Sequence, residues 1–142
     1  MKQLRDGYEI DDDPTRVDVD AVWAFLSTGA YWARWRTRAD VAAQIAASWR
    51  VVGAYAPDGS QVGFARAFSD TVSLAYLADL YVLPGHRGHG LGHALTAAMV
   101  DEGPGAGMRW LLHTQDAHEL YAAHGFAPAD VTVMERPRPE PD

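Results

Sequence analysis

The chain has no cysteine among its 142 residues. Disulfides, thiolate-bound metals and a cysteine nucleophile are therefore excluded. It also lacks any run of about 18 apolar residues, the length a membrane-spanning helix requires, so no membrane partner is expected. The N-terminal stretch MKQLRDGYEIDDDP is too acidic for a secretory signal, and a cytoplasmic protein is the default expectation. Positive charge is in short supply, with 12 basic against 19 acidic residues and a net charge of −7. A nucleic-acid surface needs the opposite balance, so no nucleic-acid partner is expected either. The one basic stretch, YWARWRTR from Tyr31 to Arg38, is too short to form a stripe.

What is present is an ordinary globular composition, 48% apolar and 22% charged, on a chain of single-domain length. One domain over residues 1–136 is expected, followed by a disordered PRPEPD tail over 137–142. Tyr8 to Ile10 reads as a first strand. Asp18 or Asp20 can cap a helix through about Leu26, and Thr37 with Asp40 makes a capping box for a second helix through about Ser48. WRVVGAYA and QVGFARAFSD flank the turn PDGS and predict a hairpin. A further turn near Ser69 to Thr71 leads into the apolar strand VSLAYLADLYVL, interrupted only by Asp79. Leu91, Leu95, Ala98 and Met99 predict a helix to about Glu102. Trp110 to His113 predicts a fifth strand. Asp116 and Glu119 suggest a capping box for a short helix that Gly125 closes, with Phe126 placed for the apolar contact of a glycine cap. Val131 to Glu135 predicts a last strand. The order β α α β β β α β α β, with one βαβ crossover, predicts a mixed α/β sheet and shows no internal repeat.

The densest feature is PGHRGHGLGH, where Gly85, Gly88, Gly90 and Gly92 crowd the turn from a buried strand into a helix. Glycine inside a helix costs roughly 1 kcal/mol relative to alanine, so such a cluster suggests that something approaches the backbone closely. At a helix start, free N–H groups and the positive end of the helix dipole favour an anion. No G-K-[ST] follows, which excludes a Walker loop, and Gly88, Gly90 and Gly92 give G-x-G-x-G rather than the Rossmann G-x-G-x-x-G. His86, His89 and His93 raise a metal reading, but no carboxylate or thiolate lies among them, and solvated loop histidines are the preferred account. No metal is expected.

The pattern that does match is R-x-x-G-x-G at Arg87, Gly90 and Gly92. LADLYVLPGHRGHGLGHAL, then WLLHT, then DAHELYAAHGF, together resemble the GNAT superfamily of acyl-CoA-dependent N-acetyltransferases, over Leu77 to Phe126. The resemblance implies a GNAT fold: an α/β domain whose mixed, mostly antiparallel sheet splays between its fourth and fifth strands, with helices on both faces. It implies acetyl-CoA as cofactor, its pyrophosphate cradled by the backbone of Arg87, Gly88, His89, Gly90, Leu91 and Gly92. Leu80, Tyr81 and Val82 would pair with pantetheine, and WLLHT would be the splayed partner strand. Asp116 stands where many relatives carry a cofactor-contacting asparagine, the alternative being that it only caps the helix.

For the chemistry, the resemblance implies that Tyr121 donates a proton to the departing sulfur, the alternative being a tyrosine at the core edge. Asp79 is either the general base or a structural partner of Arg66; a carboxylate in so apolar a strand must be compensated or placed at a polar cleft. Alternation puts Asp79 and Tyr81 on one face, with Ala78, Leu80 and Val82 on the other. The acceptor pocket would be lined by Tyr31, Trp32, Arg34 and Trp35 of the loop, with Arg66 and Tyr76 opposite. The implied function is direct attack of a primary amine, as a small-molecule acceptor, on the acetyl-CoA thioester, and a homodimer is compatible with it. A noncatalytic CoA-binding or protein-interaction module on the same fold is the alternative.

Overall fold

The structure is a computed structural model and describes residues 1–29 and 36–139. Six strands form one sheet in sequential order: β1 (Lys2–Gln3), β2 (Glu9–Asp11), β3 (Arg50–Tyr55), β4 (Gln61–Ser69), β5 (Leu74–Val82) and β6 (Arg109–Leu111). Every neighbouring pair is antiparallel except β5 with β6, which is parallel. Four α-helices accompany them: α1 (Val19–Thr28), α2 (Arg38–Ala47), α3 (Leu91–Thr96) and α4 (His118–Ala122). Among the described residues, no helix is long and apolar enough to cross a membrane.

The local signals explain most of these boundaries. Asp18 caps α1 by accepting from the Ala21 amide at 3.1 Å. Thr37 and Asp40 exchange side-chain and backbone hydrogen bonds at 3.1 and 2.8 Å, the expected capping box of α2. The PDGS turn joins β3 to β4, with Gly59 at φ 88° and Asp58 accepting from the Ser60 amide. Asp70 accepts from the amides of Val72, Ser73 and Leu74, which delays the start of β5 by two residues relative to the sequence expectation.

Alternation along the strands divides the core between the two faces of the sheet. Val51 and Phe64 pack with Val22, Phe25, Leu26 and Val41 of α1 and α2. Val52 and Ala65, one residue on, pack with Leu91, Leu95, Met99 and Tyr121 on the α3 and α4 side. The α3 helix does not run regularly to Glu102 as predicted. It continues as a π-helical turn over Ala97–Asp101, closed by a Glu102 N–H to Ala97 carbonyl bond of 2.9 Å. The Arg50 guanidinium of β3 donates to the Met99 carbonyl there at 2.8 Å, partnering an oxygen that a helix end would leave orphaned.

Two expectations are corrected. Val131 to Glu135 is not a strand: Asp130 draws the chain into a turn by accepting from the Thr132 and Val133 amides, and Val131 is exposed. Asp116 and Glu119 form no capping box. The helix begins at His118, and the Thr114 hydroxyl accepts from the Ala117 amide instead. The glycine cap after α4 is as expected, with Gly125 at φ 86° and Phe126 against the Tyr121 ring.

Candidate active site

Only Leu74, Ala75 and Tyr76 of β5 pair with β6, opposite Arg109, Trp110 and Leu111. From Leu77 onward β5 keeps its β4 partner but loses β6. The sheet therefore opens between β5 and the segment that follows β6, as the resemblance implies, with the β5 edge left unpaired on one side and Leu112 to Thr114 on the other.

A β-bulge shapes the same stretch. Phe64 pairs with Tyr81 but Arg66 pairs with Ala78, so two steps on β4 correspond to three on β5. Asp79 takes up the extra residue with φ 55°, a left-handed conformation uncommon outside glycine. Parity changes as a result: Leu77 packs on the α3 side, whereas Tyr81, four residues later, packs on the α1 side. Asp79 and Tyr81 share the face that alternation predicts, but Ala78, paired across from Arg66, lies on that face too.

Two adjoining cavities occupy the opening. One of about 520 Å³ is bordered by Leu80, Tyr81 and Val82, by Arg87, Gly88, Gly90, Leu91 and Gly92, and by Asp116. The other, about 410 Å³, is bordered by Tyr76, Asp79, His113, Thr114, Gln115 and Tyr121. Leu80, Asp116 and Ala117 belong to both, so the two form one cleft.

At the first cavity, the backbone amides of Gly88 through His93 have no hydrogen-bond partner among the described residues. Gly88 and Gly90 sit at φ 89° and 74°, and a Cβ on either would meet nothing within 4 Å. Their openness is thus not a packing requirement; it leaves a row of N–H donors clear for a ligand at the entrance to α3. Such donors suit the phosphate oxygens of coenzyme A. The Arg87 side chain folds back, its Nε donating to the Val82 carbonyl at 3.1 Å. His89 differs from its neighbours: its ring turns to Asp6 at 3.3 Å and packs on Tyr8, so only its backbone is left for the cradle. Of the three loop histidines, His86 and His89 both lie against Tyr8, His86 bonded to its hydroxyl at 2.9 Å, whereas His93 turns to His124 at 3.1 Å. No group of three or more metal-ligating side chains is assembled among the described residues.

At the second cavity, Tyr121 is 8% exposed, and its hydroxyl has no hydrogen-bond partner among the described residues. Burial, with a smaller contribution from Asp116, pushes its phenol up to about 12. It therefore holds its proton throughout the neutral range. Asp79 is held differently. Its carboxylate takes two 2.7 Å hydrogen bonds from Arg36 and a third, also 2.7 Å, from Arg66. Burial alone would raise its pKa, but the two guanidinium groups outweigh it and hold the carboxyl below the usual aspartate range. The pairing with Arg66 is the structural alternative foreseen for Asp79. Arg36 is a partner that the sequence reading missed, since it stands 43 residues from Asp79 in the chain.

The acceptor side is only partly as expected. Tyr76 borders the cleft, but Arg66 does not, because it is engaged with Asp79. Tyr31, Trp32, Arg34 and Trp35 lie outside the described residues. His113, read from sequence simply as a strand residue, stands at the end of β6 with Nδ1 against the Tyr76 hydroxyl and Nε2 2.7 Å from Glu135.

Residues 8–126 match the sequence model of the Acetyltransferase (GNAT) family. A Gibberella zeae protein, FG08082, whose name carries a provisional acetyltransferase assignment, is 31% identical over 105 residues, 62% of this chain. The chain spans 59% of the length of that curated relative. A Xanthomonas campestris protein assigned to the GNAT family has a crystal structure that is 38% identical and superposes with a TM-score of 0.84, covering 93% of this chain and 94% of its own. Rv2747 of Mycobacterium tuberculosis, solved in complex with CoA, is 20% identical with a TM-score of 0.68, covering 86% of this chain and 73% of its own, and shows likeness of fold.

Proposed function

The chain belongs to the acetyltransferase (GNAT) family, and on that premise we propose that it is an acetyl-CoA-dependent N-acetyltransferase acting in the cytoplasm on a small primary amine. The observation that carries this reading is the single cleft with two unlike ends: six consecutive amides without a partner among the described residues at one end and a buried, protonated tyrosine at the other. Acetyl-CoA, when bound, supplies an activated acetyl thioester open to direct attack by the amine. The amides of Gly88 to His93 would hold its phosphates, and the edge of Leu80 to Val82 that β6 leaves unpaired would hold its pantetheine arm, with Arg87 on the Val82 carbonyl beside it. Tyr121, itself buried, keeps a proton at its hydroxyl where a departing thiolate would need one. Asp79 shapes the strand and anchors two arginines rather than accepting a proton, because it is already triply hydrogen-bonded.

Calorimetric titration with acetyl-CoA tests the first half of this reading. Free-thiol release over spermidine, glucosamine, kanamycin, lysine and phenylethylamine tests the second. Saturable binding with thiol release for at least one amine is the expected result. Absence of binding at high micromolar cofactor would contradict the cofactor assignment. Binding without release over the whole panel would favour a noncatalytic CoA-binding module, since fold alone does not secure activity.

A further inference from the structure

We propose that Tyr76, His113 and Glu135 form a proton relay that deprotonates the amine acceptor, with the Tyr76 hydroxyl as the group that meets it. This rests on the transfer reading above. An amine attacks only as the free base, yet it reaches the site at neutral pH chiefly as the ammonium, so some group must take a proton. The charged and titratable groups facing this end of the cleft are few. Asp79 is committed to Arg36 and Arg66 on the α2 side. Tyr121 is protonated, and Asp116, which borders both cavities, bears on Tyr121 and has no hydrogen bond to Tyr76 or His113. Among the described residues, Tyr76, His113 and Glu135 are the groups at this end joined to one another by hydrogen bonds.

Their hydrogen bonds fix who gives and who takes. A carboxylate can only accept, so in the neutral imidazole that the relay requires the 2.7 Å contact with Glu135 puts the ring proton on Nε2. The Nδ1 lone pair is then the acceptor for the Tyr76 O–H. The Tyr76 ring is held by stacking on Phe68 at 5.0 Å and 14°. Burial first, then the nearby Glu135 and Asp79 charges, raise the Tyr76 phenol, so Tyr76 passes a proton on rather than standing as a phenolate. One ammonium proton moves to the Tyr76 oxygen while the Tyr76 proton moves to His113 Nδ1. The imidazolium so formed stays paired with the Glu135 carboxylate. His113, 67% exposed in its side chain, then releases the proton to solvent, and no other reactant is consumed. Three segments far apart in sequence supply the relay, and the irregular path after Asp130 is what brings Glu135 to the end of β6.

The test compares wild type with Tyr76→Phe, His113→Ala and Glu135→Gln, using acetyl-CoA and the panel amine with the highest turnover. Tyr76→Phe and His113→Ala should lose ~10²-fold or more in kcat/KM near pH 7, with calorimetric affinity for acetyl-CoA unchanged. The deficit should shrink as the pH approaches the amine's own pKa, where the acceptor arrives already neutral. Glu135→Gln should show a smaller loss with the same pH trend. Free imidazole in the buffer should restore rate to His113→Ala and not to Tyr76→Phe. A deficit equal at every pH and indifferent to imidazole would mean a merely structural role and overturn the relay. Variants with wild-type rates would overturn the relay alone, whereas a wild type that binds acetyl-CoA but transfers to no amine would overturn the transfer reading and the relay with it.

Discussion

The two ends of the cleft are made by different means. At the cofactor end, consecutive residues supply backbone groups: free amides from Gly88 to His93, and a strand edge from Leu77 to Val82 that β6 leaves unpaired. At the acceptor end, side chains from β5, the segment after β6 and α4 converge on one cavity wall, at Tyr76, His113 and Tyr121, with Glu135 of the C-terminal segment behind His113. A main-chain site depends on local conformation and tolerates changes that respect φ. A side-chain site depends on chemistry at single atoms, so a change that conserves shape but removes one functional atom spares binding and costs turnover. Substitutions at the two ends should therefore separate binding from turnover.

The largest effect is expected at Gly90. Gly90→Val places a branched side chain at φ 74° and into the open space over the amide row, so cofactor binding should be abolished while the protein stays folded. Unchanged affinity by calorimetry in a folded variant would break the cradle assignment. Tyr121→Phe should do the converse, leaving acetyl-CoA affinity intact and lowering kcat by about 10²–10⁴-fold, the range for a lost acid. Because the Tyr121 phenol is raised to about 12, it should contribute no basic limb to the wild-type pH–rate profile below that value. Near-normal kcat in the variant would mean that solvent protonates the leaving thiolate.

Asp79→Asn sharpens the comparison from a third side, because Asp79 borders the cleft yet belongs to the scaffold. Breaking a buried ion pair costs about 3–5 kcal/mol, and here two guanidinium groups would lose their counter-ion, so a lower midpoint in chemical denaturation is expected. The folded-state pKa of Asp79 is depressed, so its stabilisation is fully present above the ordinary aspartate value and fades as the pH falls through the lower folded value. Wild type should accordingly lose part of its margin over the variant only in acid. At neutral pH the variant's rate profile should keep its shape, and loss of an acidic limb would reinstate Asp79 as the base.

The same contrast explains what could be read from the letters. Capping at Thr37 and Asp40, the PDGS hairpin, the glycine loop and the Gly125 cap are local signals and are found where the sequence places them. The Asp79 bulge is invisible to alternation, since one inserted residue changes parity without changing composition. Arg36 at Asp79 and Glu135 at His113 are long-range pairings that no local pattern encodes. The last predicted strand failed because Val131 and Val133 satisfy a period of two, yet the Asp130 turn claims the backbone donors that a ladder would need.

The central claim, that coenzyme A lies along the opened edge of β5 with its phosphates on the glycine loop, can be read residue by residue. Backbone amide chemical shifts should be recorded in a titration of isotopically labelled protein with CoA. The account predicts that the largest changes fall on Leu80 to Val82 and Gly88 to His93, with Asp130 to Glu135 little affected. Changes centred instead on the separate cavity between Met108 and Phe126, with the glycine loop unmoved, would contradict it.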